Sequence, residues 1–239
     1  MSKNNQIIIL CGGKGSRLGK ITKNLPKPLV EIANKPILEH KIDYYKTQGY
    51  NKYIFCTGYK GDVIKDRFFE KLPESKYSNI GENAGILERI HAVKKYFQEP
   101  AIVSYGDTYA EIDFDDLLKK HNKSNALLTL VIAKIQNPFG LINADKSDMV
   151  LSFEEKPMLN HYIGYSVISP EIFNEIPESI ITLPDGHGII KMINSLSQKK
   201  LVKAYNFNGL QVTVNNSEEL KKANEAIGKY YTIKEKNEK

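Results

Sequence analysis

Two loops in this 239-residue sequence hold residues of the kinds that grip phosphate. The first is Leu10-Cys11-Gly12-Gly13-Lys14-Gly15-Ser16-Arg17-Leu18, which ends an apolar run. Glycines let backbone N–H groups reach phosphate oxygens because no Cβ intervenes, and Lys14 and Arg17 add positive charge beside them. A dinucleotide fingerprint needs a glycine where Leu18 stands. A Walker A loop fails as well, since Gly19-Lys20 is followed by Ile21. The second loop is Leu25-Pro26-Lys27-Pro28-Leu29-Val30. Two prolines stiffen the backbone around one lysine, and a fixed ammonium suits charge neutralisation on a transferring phosphoryl group.

Such loops need a frame to aim them. Residues 6–10, 52–57 and 101–105 are apolar runs that read as buried strands. Residues 37–48, 61–72 and 83–97 read as helices, the last with Ile86, Leu87, Ile90, Val93 and Phe97 on one face. Strands alternating with helices point to an α/β, Rossmann-like fold: a mixed, mainly parallel sheet flanked by helices. After residue 125 the pattern changes. Residues 127–135, 141–144, 149–153 and 163–168 lie close together with turn residues between them, which predicts a small antiparallel subdomain. A helix over 189–196, strands over 201–207 and 210–214, and a terminal helix over 217–230 with Ser217 as its N-cap complete the reading. With no repeat and no linker, residues 1–239 are expected to form a single domain. It divides into a first half, 1–125, which carries both loops, and a second half, 126–239.

Composition narrows the partners. Apolar content of 41% and charged content of 26% are those of an ordinary soluble domain. The apolar runs are too short to span a bilayer, and the N-terminus lacks the pattern of a signal peptide. A cytoplasmic protein is expected, with Cys11 and Cys56 as buried thiols. The net charge of +6 comes from lysines scattered among acids, so neither nucleic acid nor membrane is expected as a partner. The cationic stretch 14–27 surrounds the glycines and points to an anionic small molecule.

The two phosphate loops, followed by Asn34-Lys35-Pro36-Ile37-Leu38, resemble the sugar-phosphate nucleotidyltransferases, which carry G-G-x-G-[ST]-R-L, then P-K-P, then x-K-P-[IML]. Later landmarks keep the family's order. Tyr105-Gly106-Asp107 resembles its strand-end G-D, Glu155-Lys156-Pro157 its E-K-P, and residues 208–220 its closing strand and helix. The resemblance implies an enzyme that moves a nucleoside monophosphate from an NTP to a small phosphorylated acceptor and releases pyrophosphate. Attack would be in line with no covalent enzyme intermediate, so positioning and charge neutralisation do most of the work. Asp107 is then the Mg²⁺ ligand, with Arg17 and Lys27 the other catalytic residues. The nucleotide lies on Leu10, Gly12, Gly13, Lys14, Gly15, Ser16, Arg17, Tyr105 and Gly106. The acceptor lies on Glu82, Asn83, Glu155, Lys156, Tyr162 and Gly164, with Lys156 holding its phosphate and Glu155 pairing with Lys156.

Departures from the family pattern fall on the acceptor side and on the metal. Gly81-Glu82-Asn83-Ala84-Gly85 stands where the sugar enzymes read L-G-T-[AG]-G. Tyr162-Ile163-Gly164 stands for N-x-G, and Gln211-Val212-Thr213 for W-x-D, whose carboxylate often supplies a second Mg²⁺ ligand. The changes point away from a hexose-1-phosphate acceptor. Glu82 either binds an ammonium, as suits family members that use phosphocholine or, for capsule synthesis, phosphoglutamine, or it opens the helix that follows, where an acid suits the dipole. The Tyr-Gly-Asp triplet resembles that of glucose-1-phosphate cytidylyltransferases and favours CTP. The shortness of the chain resembles heptose-phosphate guanylyltransferases. A non-catalytic nucleotide-binding homologue fits the missing late carboxylate, but retention of Arg17, Lys27, Asp107 and Lys156 argues against it.

Overall fold

Alternation along the strands decides the layering. The computed structural model describes residues 3–237. In chain order its first half contains β1 (Ile7–Cys11), the short pair β2 (Glu31–Ile32) and β3 (Lys35–Pro36), α1 (Ile37–Thr47), β4 (Tyr53–Thr57), α2 (Gly61–Phe68), β5 (Lys76–Asn79), α3 (Ile86–Ala92), β6 (Ala101–Tyr105), β7 (Thr108–Ala110) and α4 (Phe114–Asn122). There follow β8 (Leu128–Gln136), β9 (Leu141–Ala144), β10 (Val150–Glu154), β11 (Met158–Ile168), α5 (His187–Gln198), β12 (Val202–Phe207), β13 (Gln211–Thr213) and α6 (Ser217–Asn237). A seven-stranded sheet has the order β12-β8-β11-β6-β1-β4-β5, with β11 antiparallel to both its neighbours and every other pairing parallel.

Successive side chains of a strand face opposite ways, so a strand covered on both faces is apolar throughout. Ile7, Ile9 and Phe55 face one layer with Leu38, Ile42, Phe68, Phe114 and Leu117 from α1, α2 and α4. Ile8, Ile54 and Val103 face the other with Leu87, Ile90, Met192 and Leu196 from α3 and α5. A third cluster packs α6 through Ala223 and Ile227 against Ile32, Tyr109 and Val212.

The expected mixed, mainly parallel sheet flanked by helices is present, and several local expectations need correction. The helix expected over 83–97 is shorter: α3 stops at Ala92 and a separate 3-10 turn covers Lys94–Tyr96. The N-cap of α6 is Asn216, not Ser217, since the Asn216 Oδ1 accepts from the Glu219 N–H at 2.9 Å. Of the four strands expected in the small antiparallel subdomain, β9 and β10 pair in a two-stranded antiparallel sheet, while β8 and β11 pair antiparallel with each other inside the main sheet. α4 is an additional helix, capped by Asp113 and burying Phe114, Leu117, Leu118 and His121. The β9–β10 hairpin is exposed along its whole length, Ile142, Leu151 and Phe153 included. No helix among the described residues is long and apolar enough to cross a membrane.

One buried charge lies next to the β6–β7 turn. Lys41 on α1 has no exposed surface, donates to the Thr108 carbonyl and to the Tyr165 hydroxyl (2.6 Å), and sits 4.3 Å from the Tyr165 ring centroid. Burial pulls its pKa down.

Candidate active site

β1, β4 and β6 run parallel and end at one edge of the sheet. Each is followed by a glycine: Gly12, Gly58 and Gly106. The chain leaves β1 towards β4 on one side and returns to β6 on the other, so the strand order reverses between β1 and β6. Open α/β sheets bind ligands at this kind of switch point. Here a cleft of about 770 Å³ opens, floored by Leu10–Arg17 and Tyr105 and walled by residues 82–84 and 184–186.

The glycine loop and the proline-bounded lysine meet in the cleft. Gly15 has φ +63°, and a Cβ there would lie 2.9 Å from the Lys27 Cβ, so both backbone and contact call for glycine. Gly106 donates its N–H to the Leu10 carbonyl at 3.0 Å, and a Cβ on it would crowd Pro28 at 2.8 Å. This close approach draws β1, Pro28 and the Asp107 turn together. Lys27, only 8% exposed, pairs with the Asp107 carboxylate. The Asn215 Oδ1 accepts from Lys27 Nζ and from Arg17, each at 3.0 Å. Asn215 was not among the residues expected from sequence. Its signal is local: it precedes the capping pair Asn216 and Glu219, and Glu219 accepts from its N–H at 2.9 Å. Thr213, where the family often has a carboxylate, faces Thr108 across β13 and β7, hydroxyl to hydroxyl at 3.3 Å.

On the opposite wall, Glu82 pairs with Lys14 at 3.2 Å, both side chains about half exposed. Glu82 lies outside α3, whose first-turn acid is Glu88, reaching back to the Gly85 N–H at 3.3 Å. The helix-opening role is therefore filled by another residue. Asn83 lines the cleft beside Glu82, and Asp185 and Gly186 face it from the loop before α5. Arg89, which the sequence reading does not single out, also lines the cleft while only 5% exposed. Burial lowers its pKa.

Tyr105 lines the cleft, and burial followed by the nearby Asp107 charge pushes its pKa up to about 12, keeping the phenol neutral. Tyr162 and Gly164 stand behind it: the Tyr162 ring meets the Tyr105 ring edge-on at 5.8 Å, and Gly164, with φ +77°, leaves room for Tyr105. Neither lines the cleft itself. Glu155 and Lys156 follow β10 with side chains more than half exposed, 3.8 Å apart, and they too lie outside the cleft lining. Leu10, Gly12, Gly13, Lys14, Gly15, Ser16, Arg17, Lys27, Glu82, Asn83, Tyr105 and Asp107 are thus brought together, while Gly106, Glu155, Lys156, Tyr162 and Gly164 lie outside the cleft lining.

The donor set bears on the metal. No group of three or more His, Cys, Asp or Glu side chains gathers among the described residues, which excludes a closed cage of the zinc type there. A single carboxylate at the phosphate end fits Mg²⁺, which takes one or two carboxylates and completes its shell with water and substrate phosphate.

Fold and cleft together define an α/β protein with a ligand cleft at its switch point, and similarity to known proteins gives its family. Residues 6–228 match the nucleotidyl transferase family, and the chain belongs to it. It is 37% identical over 175 residues to the D-glycero-alpha-D-manno-heptose 1-phosphate guanylyltransferase of Campylobacter jejuni, covering 71% of this chain and 78% of that one. It is 30% identical over 206 residues to the glucose-1-phosphate cytidylyltransferase of Salmonella typhimurium, covering 73% and 79%. Among solved structures, HddC from Yersinia pseudotuberculosis superposes with a TM-score of 0.70 at 26% identity, over 94% of this chain and 100% of that one. HddC has also been solved in complex with GMP-PN. The chain is a nucleotidyltransferase.

Proposed function

We propose that this enzyme transfers CMP from CTP to a small phosphorylated acceptor that is not an ordinary hexose-1-phosphate, releasing pyrophosphate, as a step towards a capsule or other surface-polysaccharide precursor. The observation that carries the acceptor half is the Lys14–Glu82 pair. A carboxylate aimed into the cleft already receives one ammonium, and an amino-bearing acceptor such as phosphoglutamine can take that place. Lys14 is then released to the triphosphate. A carboxylate there would instead repel an acceptor phosphate.

On this reading the acceptor phosphate oxygen attacks the α-phosphorus in line. The Gly12–Gly15 backbone, Ser16 and Arg17 hold the triphosphate, and Lys27 neutralises charge at the α-phosphate. Mg²⁺, held by Asp107, supplies further charge neutralisation when bound. Asn215 keeps Arg17 and Lys27 aimed at one point. Lys156 holds the acceptor phosphate, with Glu155 pairing to it and Tyr162 and Gly164 supporting Tyr105. Residues 1–125 serve as the nucleotide half, which also lends Glu82 and Asn83 to the acceptor, and residues 126–239 as the acceptor half of one unit.

A guanylyl transfer to a heptose-1-phosphate is the second reading. The 37% identity to the Campylobacter jejuni guanylyltransferase favours it. One experiment separates the two. Pyrophosphate release is measured with CTP, GTP, UTP and dTTP against glucose-1-phosphate, heptose-1-phosphate, phosphocholine and phosphoglutamine. The first reading expects CTP with an amine-bearing acceptor. A preference for GTP with the heptose phosphate overturns it.

A further inference from the structure

Arg89 has an unusual setting for an arginine. Its guanidinium is buried, lines the cleft and pairs with no carboxylate among the described residues. Its acceptors are backbone carbonyls. Nη1 donates to Thr57 O at 2.5 Å at the end of β4, and Nη2 donates to Gly81 O at 2.7 Å, with Glu82 O farther off at 3.4 Å. The guanidinium fills the space where side chains of Gly12 and Gly58 would stand: a Cβ on Gly12 would overlap it, and one on Gly58 would lie 2.8 Å from Nη2. The Gly12 carbonyl in turn accepts from the Tyr59 N–H at 3.2 Å. One planar group therefore touches the glycine loop, the end of β4 and the loop that carries Glu82 and Asn83.

We infer that Arg89 is a positioning residue that couples the nucleotide loop to the acceptor loop. The inference rests on the proposal that Glu82 and Asn83 face the acceptor. By drawing the Gly81 and Glu82 carbonyls inward, the guanidinium turns the Glu82 side chain out to the cleft, where Lys14 meets it. Other anchors of this loop flank Arg89's: Asn79 Oδ1 accepts from the Gly81 N–H at 3.0 Å, and Asp185 O from the Ile86 N–H at 3.0 Å. A guanidinium carries its donors in a rigid planar fork, which serves carbonyls on two different segments at once. A lysine ammonium is a point charge on a flexible stem and does not reproduce that fork.

The test measures KM for the NTP and for the acceptor separately, using the pair that wild-type protein turns over best in the pyrophosphate-release panel. Arg89→Ala is expected to raise both KM values, each by about tenfold to a hundredfold. Millimolar guanidinium chloride should restore part of the loss, while equal sodium chloride should not. Arg89→Lys should show the same double rise, unrescued, and it keeps the inference testable if Arg89→Ala does not fold. Gly12→Ala displaces the guanidinium and should therefore also raise the acceptor KM, with a much smaller effect once Arg89 is already alanine. Wild-type KM values in Arg89→Lys, absence of guanidinium rescue in folded Arg89→Ala, or additivity of Gly12→Ala with Arg89→Ala would each overturn the coupling. A rise confined to the NTP also overturns it while leaving the transfer reaction standing. Failure of wild-type protein with every pair in the panel would instead strike the proposed substrates.

Discussion

The rim of the sheet and the β9–β10 hairpin treat their polar residues in opposite ways. At the rim, three parallel strand ends and the Lys27 loop converge, and Lys27 is nearly buried against Asp107. At the foot of the hairpin, Glu155 and Lys156 are more than half exposed and 3.8 Å apart, on an element whose apolar side chains are exposed as well. Buried charges are fixed by the partners that repay their desolvation, whereas exposed pairs contribute little and leave their geometry loose. The rim is thus built before a ligand arrives. The hairpin residues have an address but no fixed aim.

Several measurements can break or sharpen that contrast. The largest effect is expected for Asp107→Asn, which should lower turnover by about 10³-fold or more in Mg²⁺ with the fold intact by circular dichroism. Near-normal turnover would remove Asp107 from the centre of the site. Lys27→Ala should lower kcat by about a hundredfold with a smaller change in KM, as for a charge that acts on the transition state. Lys156→Ala should raise the acceptor KM by about tenfold and leave kcat nearly unchanged. If it weakened NTP use alone, the division between rim and hairpin would be wrong.

The smallest effect concerns stability. Burial lowers the pKa of His121, whose ring nitrogens meet Thr129 Oγ1 at 2.8 Å and Ser169 Oγ at 2.9 Å. A histidine held neutral in the fold takes up its proton more readily when unfolded, so the unfolded state binds more protons as pH falls. The stabilisation is complete above the ordinary histidine range and is lost as pH falls from there towards the lowered folded value. Urea midpoints measured across that range should fall with pH, less steeply in His121→Gln. An equal slope in both would show that another group titrates.

What could be read from sequence follows the same division. The buried strands announce themselves by unbroken apolar runs, and the glycine loop by residue types that act through neighbouring backbone, so both were legible. β5 was missed because an edge strand reading Lys-Tyr-Ser-Asn has no apolar alternation. α4 carried a readable signal in the spacing of Phe114, Leu117, Leu118 and His121 and in the Asp113 cap. Arg89 could not be found this way. In sequence it is one charge on the helix expected over 83–97, and its setting depends on Gly12 and Gly58, which lie far away along the chain. The positions of Glu155 and Lys156 outside the cleft were equally hidden, because a motif fixes neighbours in sequence and says nothing about where a hairpin points.

Lys41 gives the molecule a built-in conflict of interest. An ammonium with no exposed surface and no paired carboxylate among the described residues costs desolvation, which its bonds to Thr108 and Tyr165 and its place over the Tyr165 ring offset. Yet its proton donor secures the Thr108 carbonyl, one residue beyond Asp107. The Tyr165 hydroxyl donates to the same carbonyl at 3.0 Å, so a methionine at position 41 would remove one of two tethers on the turn that carries the carboxylate.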